Sequence, residues 1–172
     1  MRGFTGAVAD GWFPWLHAPE PYEADLRHVL EVAERRGRDA SEIDRAVLAP
    51  TTVYEDRAAA RDAATERNRT SLALRPPLLA KLGDEDLAAE SPIMFEMLFD
   101  EERERQLVGA ADAIPDEAVE QITIAGTAEE AIDDIESFVA AGVDTLVVIP
   151  VGDVEETLGQ YEDHIMPYVK DQ

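Results

Sequence analysis

A chain of 172 residues that sets 38 acidic side chains against 15 basic ones carries a net charge of −23, and has no basic patch with which to neutralise nucleic-acid phosphates. It contains no cysteine, which excludes disulfides, thiol catalysis and cysteine-ligated zinc. No apolar run approaches the roughly 18 residues needed to span a bilayer, and MRGFTGAV lacks the apolar core of a signal peptide; a cytoplasmic protein is expected, with neither membrane nor nucleic acid as partner.

The length suits one domain, residues 1–172, that buries about 70% of its unfolded surface. Over the roughly 8,300 Å² expected of a folded chain this size, the net charge amounts to about one uncompensated negative charge per 360 Å². Such self-repulsion opposes compaction in dilute salt, and at about 1 M salt it is screened within about 3 Å. Thirteen of the basic residues are arginine, and Lys81 and Lys170 are the two lysines. Acid-rich and lysine-poor is the composition expected of a halophilic cytoplasm.

Along the chain, Tyr22, Leu26, Val29, Leu30 and Ala33 recur at helical spacing within residues 21–36, and Gly37 stops that helix. Ala46 to Val53 reads as an apolar strand. Residues 56–70, DRAAARDAATERNRT, form a polar helix expected to lie outside. RPPLLAKLG holds a double proline that starts a short helix or a turn, and SPIMFEMLFDEERERQLVGAA reads as a helix opened by Ser91 and Pro92, its methionines and phenylalanines read as core. Thr127, with Glu130 three residues on, forms a capping box for a helix that ends at Gly142. A buried-type strand, Thr145 to Ile149, and a helix from about Asp153 to Tyr168 complete the chain. Continuously apolar strands alternating with helices imply an α/β fold, a parallel sheet covered by helices.

Three segments share one layout: Asp10 to Pro14, Asp44 to Pro50 and Asp144 to Pro150 each run from an aspartate through apolar residues to a proline. Proline lacks the amide donor of a central strand and fits where pairing ends. Parallel βα folds place ligands in the loops beyond the strands. The expected pocket wall is therefore Phe13, Pro14 and Trp15, with Thr51 and Thr52, and Pro150 to Gly152. The three leading aspartates fall at the opposite face and read as turn caps. His17, His28 and His164 lack metal-ligand spacing, and no metal site is expected. GxGxxG, Walker and GxSxG patterns are missing from the sequence, so nucleotide-fold and hydrolase readings have no support.

GAVADGWFP, GRDASEIDRAVLAPTTVYED, EQITIAGTAEEAIDDIESFVAAGVDTLVVIPVGDVEETL and EDHIMPYV, in that order, resemble the C-terminal part of the luciferase-like monooxygenase superfamily. The resemblance is strongest to its deazaflavin (coenzyme F-420)-dependent oxidoreductases, such as the methylene-tetrahydromethanopterin reductases. It implies a partial TIM (β/α)8 barrel, roughly units six to eight, with a helical insertion before the last strand. ADGWFP would be the sixth strand, the run ending at Pro50 the seventh and the run ending at Pro150 the eighth. It further implies coenzyme F-420, or secondly FMN, at the strand ends, exchanging a hydride with a small-molecule substrate. The cofactor's phosphate tail would bind through backbone amides at helix N-termini. RGFTGAV would end a helix packed beneath the first strand, Trp12 and Phe13 would alternate between barrel interior and helix layer, and Trp15 would sit at the ligand face. Full barrels need eight units and about 250 residues.

Three readings of that shortfall stand. The chain is the C-terminal part of an oxidoreductase, truncated or working with a separately encoded N-terminal half; it is a non-catalytic module that forms a homodimer through an open sheet edge; or Met1 is not the true start. The charge reading is testable directly. The unfolding midpoint should climb steeply between 0.1 and 2 M KCl, and a midpoint indifferent to salt would contradict it.

Overall fold

The computed structural model describes residues 2–86 and 101–170. The opening of the helix assigned to Ser91 and Pro92, with Met94 and Met97, lies outside the described residues.

The architecture is a parallel sheet with helices. Its elements are α1 (Arg2–Val8), β1 (Gly11–Trp12), α2 (Pro19–Arg35), a 3-10 turn (Ala40–Glu42) and β2 (Asp44–Val53); then α3 (Arg57–Ala73), α4 (Pro76–Lys81), α5 (Glu101–Ala113) and α6 (Asp116–Glu120); then β3 (Ile124–Gly126), α7 (Ala128–Ala140), β4 (Thr145–Pro150), α8 (Val154–Gln160), a π-helical turn (Tyr161–Ile165) and α9 (Met166–Lys170). No helix among the described residues is long and apolar enough to cross a membrane.

β2 is the central strand. β4 runs parallel along it from Ala46↔Thr145 to Thr51↔Pro150. On the other side β1 pairs at its start, Gly11↔Asp44 and Trp12↔Arg45, with a further bridge at Trp15↔Leu48. β3 pairs on that same side at its end, from Thr51↔Ile124 to Val53↔Gly126. Pro50 therefore lies inside β2 and not at its exit. The Leu48 amide donates toward β1, to the Pro14 carbonyl, and the Tyr54 amide toward β3, to the Gly126 carbonyl. Pro50 shares their parity and faces the gap where β1 has ended and β3 has not begun, so its missing amide costs no ladder bond.

Two apolar clusters hold the elements together. One lies between the sheet and its helices and contains Val47, Ala49, Val53, Ile124, Tyr22, Leu26, Ala131 and Phe138. The other joins α3 to α6 through Leu72, Leu79, Leu107, Ile114 and Val119, and takes in Leu16 and Ala18 from the loop after β1. The polar α3 lies only partly outside, since Ala60, Ala64, Asn68, Leu72 and Ala73 form a buried face. β4 is also less enclosed than its composition suggests, because none of its residues is fully buried and Val147 is exposed. The expected capping box is present: the Thr127 amide donates to Glu130 Oε2 (3.1 Å) and the Glu130 amide to Thr127 Oγ1 (3.4 Å).

α1 packs against α2 and not beneath β1. Gly6 is its one buried residue, and a Cβ there would run into the Val29 carbonyl oxygen and reach 2.8 Å from Val32 Cβ. Gly3, in the same helix, has no atom within 4 Å of its Cβ position. Gly6→Ala should therefore destabilise by about 1–3 kcal/mol through overpacking, while Gly3→Ala should be neutral or slightly stabilising. Urea unfolding of the two variants checks the contrast, and equal effects would refute this packing.

Candidate functional site

The residues expected to form one wall fall into two groups. Thr51 and Thr52 are fully buried; the Thr52 hydroxyl donates to the Val151 carbonyl (3.0 Å) and that of Thr51 to the Ala49 carbonyl (3.2 Å). Pro150 pairs with Thr51, and Gly152, at φ 83°, packs against the Tyr54 hydroxyl, which accepts from the Asp153 amide (2.5 Å). These four form a cap stitched by its own hydrogen bonds and tied to α8, where Thr157 Oγ1 accepts from the Val53 amide (3.3 Å).

Phe13, Pro14 and Trp15 instead line a cavity of about 660 Å³ together with Trp12, His17, Asp25, Arg2, Arg75 and Lys81. Trp15 is level with Leu48, three residues short of Thr51, so the groups are offset by about 10 Å along the strand direction. Trp12 turns to the helix layer and stacks on Tyr22 (centroids 4.7 Å apart, planes at 27°). Phe13 and Trp15 stay exposed, and the Arg75 guanidinium lies 6.0 Å from the Trp15 ring while donating to the Trp15 carbonyl.

Beyond Trp15 the chain turns through Leu16, whose φ of 55° is a left-handed conformation that a branched side chain adopts at a cost. Leu16 is wholly buried in the helical cluster, which holds the turn in place. The turn brings His17 inward, where its Nε2 lies 3.3 Å from Asp25 Oδ2. Asp25 also takes Arg2 and Lys81 as ion-pair partners. A carboxylate only accepts, so His17 Nε2 carries the proton and Nδ1, buried and without a hydrogen-bond partner, is left an acceptor. His17 is thus not the bland residue its lack of metal spacing suggests. Asp25, Arg2, Arg75 and Lys81 were not singled out by sequence either. The available signal was Asp25, a carboxylate three residues from Tyr22 and four from Val29 on the buried stripe of α2. Two of the three leading aspartates are ion-paired at the opposite face, Asp10 with Arg38 (3.7 Å) and Asp144 with Arg45 (3.9 Å). No cluster able to hold a metal ion occurs among the described residues.

Burial, then the charges of Lys81, Arg75 and Arg2, pull the His17 imidazole from 6.5 down to about 4. The unfolded imidazole gains its proton below 6.5 and the folded one only near 4, so the fold loses up to about 3 kcal/mol as pH falls through that window. Asp134 acts oppositely: burial, then the Glu130 charge, pushes its carboxyl up to about 6, giving stability that is full below 3.8 and lost as pH rises through 6. His17→Gln should accordingly flatten the acid loss of stability, and Asp134→Asn should steepen it. Urea unfolding between pH 7.5 and 4.5 reads both, and a His17→Gln profile superimposable on wild type would refute the assignment.

The luciferase-like monooxygenase profile matches residues 1–145. No curated protein sequence matches the chain. Among solved structures, the coenzyme F-420-dependent tetrahydromethanopterin reductase from Methanopyrus kandleri superposes with a TM-score of 0.69 at 22% identity, covering 98% of this chain and 48% of that one. An F-420-dependent secondary alcohol dehydrogenase, in complex with an F-420–acetone adduct, gives 0.71 at 21% identity, covering 96% and 44%. The oxygenating constituent of 3,6-diketocamphane monooxygenase from Pseudomonas putida, in complex with FMN, gives 0.57 at 15%, covering 96% and 44%. The chain thus spans under half the length of each of these structures, and at such identities the likeness concerns the fold. With more than half of its residues matched by the family profile, the chain belongs to the luciferase-like monooxygenase family.

Proposed function

We propose that these residues are the C-terminal part of a flavin- or deazaflavin-dependent oxidoreductase, a single unit corresponding to barrel units six to eight. Coenzyme F-420 is the preferred cofactor and FMN the second. The observation that carries the reading is the cavity at the end of β1, walled by Phe13, Pro14 and Trp15, in a chain of this family. The order β1, β2, β4 across the sheet supports consecutive barrel strands, with β3 as an addition at the end of β2.

The aromatic wall fits a planar ring. Trp15 and Phe13 are exposed, and base–aromatic stacking of this kind is worth about 1–3 kcal/mol per ring. Bound there, a flavin or deazaflavin supplies a ring that gives or takes a hydride. His17, neutral and fixed by the contact of Nε2 with Asp25, forms part of the same wall. The loops after β2 and β4 fit the cofactor's phosphate tail poorly. Asp56 accepts from the Ala58 and Ala59 amides (2.9 and 3.2 Å), and Asp153 from that of Glu156 (3.0 Å), so these helix N-termini already hold carboxylates. Thr51, Thr52, Pro150 and Gly152 line no part of the aromatic cavity and close the ends of β2 and β4 instead of contacting the tail. Hydride transfer requires the remaining barrel wall, which a longer form of the protein or a separately encoded N-terminal half would supply.

Titration of coenzyme F-420, alone and with a candidate N-terminal half, tests the proposal. Tryptophan emission should be quenched in the wild type and in Trp12→Phe, and the response should vanish in Trp15→Ala with its circular dichroism unchanged. Absence of any response from F-420, and from FMN titrated in the same way, with or without the added half, would sink it.

A further inference from the structure

We infer that the cavity beneath Trp15 is an anion-binding site in which Arg75, Lys81 and Arg2 receive a phosphate or carboxylate group of a small-molecule ligand. The inference rests on the same cavity as the proposed function but not on the identity of the cofactor.

In a chain of net charge −23, many cations elsewhere sit one to one or better with carboxylates: Arg27 with Glu23, Arg45 with Asp144, Arg61 with Glu120 and Glu130, and Arg69 with Asp116. Around the cavity the balance reverses. Arg2, Lys81 and Arg75 converge there, and Asp25 is the one carboxylate among the described lining residues. Arg2 and Lys81 both pair with Asp25, while Arg75 has no carboxylate partner among the described residues and spends its contacts on the Trp15 carbonyl and ring. The cations act on one another: the charges of Arg2 and Arg75 add to burial in lowering the Lys81 ammonium below its ordinary range, and all three lower His17.

That crowding is unfavourable while the cavity holds only water, and an entering anion would relieve it. His17 is neutral, so it adds neither charge nor repulsion. The helix N-termini beyond β2, β3 and β4 are closed to an anion. The three helices that follow β2, β3 and β4 open on Asp56, on Thr127 with Glu130, and on Asp153, each already accepting the free amides. Ligands that pair an anionic group with an apolar or planar body match the cavity best, since Phe13 and Trp15 adjoin the cations.

The test is titration of inorganic phosphate into the 172-residue chain, with chloride withdrawn to hold ionic strength constant and the unfolding midpoint and the histidine proton resonances followed. Saturable stabilisation in the millimolar range is expected, with a shift of the His17 resonance. Arg75→Gln and Lys81→Gln should each weaken binding at least about tenfold, and Lys81→Arg should restore it. Should Arg75→Gln fail to fold, the exposed Lys81 pair of variants decides. Repetition with coenzyme F-420 present separates the sources: phosphate that still binds marks a substrate's anionic group, and phosphate that is expelled marks the cofactor's own. A non-saturating rise identical in wild type and variants would overturn the inference, and would leave the proposed function standing if F-420 still quenched Trp15.

Discussion

The structure depends on β2 receiving neighbours on both sides in an order set by residue parity. Odd residues from Arg45 to Thr51 bond with β4 and its flanks, whereas the even positions serve β1 through Leu48 and β3 through Tyr54. One strand thereby fixes the height of every loop at the ligand face. Pro50 marks the boundary between β1 and β3 without costing a bond, because its absent amide faces neither. Replacing it with another residue would place an amide donor in the gap, where burial without a partner costs about 1–3 kcal/mol.

Much of this was legible before any coordinates. The stripe Tyr22, Leu26, Val29 and Ala33 is the buried face of α2, and Thr127 with Glu130 is a capping box. Both signals are local, carried by helical spacing and by two side chains a turn apart. The splitting of the expected pocket wall was not legible, because it depends on register: that Trp15 meets Leu48 and not Thr51 is a relation between residues 33 apart in sequence. Pro50 misled for a related reason, since a proline inside a strand is tolerated only where two partners leave a gap, and the second partner is 74 residues further on at Ile124. The polar side chains of the cavity come from α1, α2, the junction of α3 and α4, α4 itself and the loop after β1, and nothing in their spacing brings them together.

Net charge alone points away from anionic ligands, yet charge is a local quantity in a folded chain. Acidic residues are placed at helix N-termini and on exposed helix faces, where capping and solvation stabilise them. The same capping blocks those termini as anion sites. Three cations converge at the mouth of one cavity, where in a strongly negative surround they can select by position as well as by charge.

Leu16 links the cavity to the helices between β2 and β3. Its left-handed φ costs on the order of 1–3 kcal/mol, offset by complete burial against Leu72, Leu79 and Ile114. The turn so held keeps Trp15 exposed at the cavity while its neighbour His17 goes to Asp25. The helices do more than cover the sheet edge, because they retain the strained residue that orients the aromatic wall and the neutral imidazole on either side of it. Loosening α4, which contributes Leu79 to that cluster and Lys81 to the cavity, would therefore release the turn and the cation together. A packing contact far from any ligand then controls both the shape of the site and its charge.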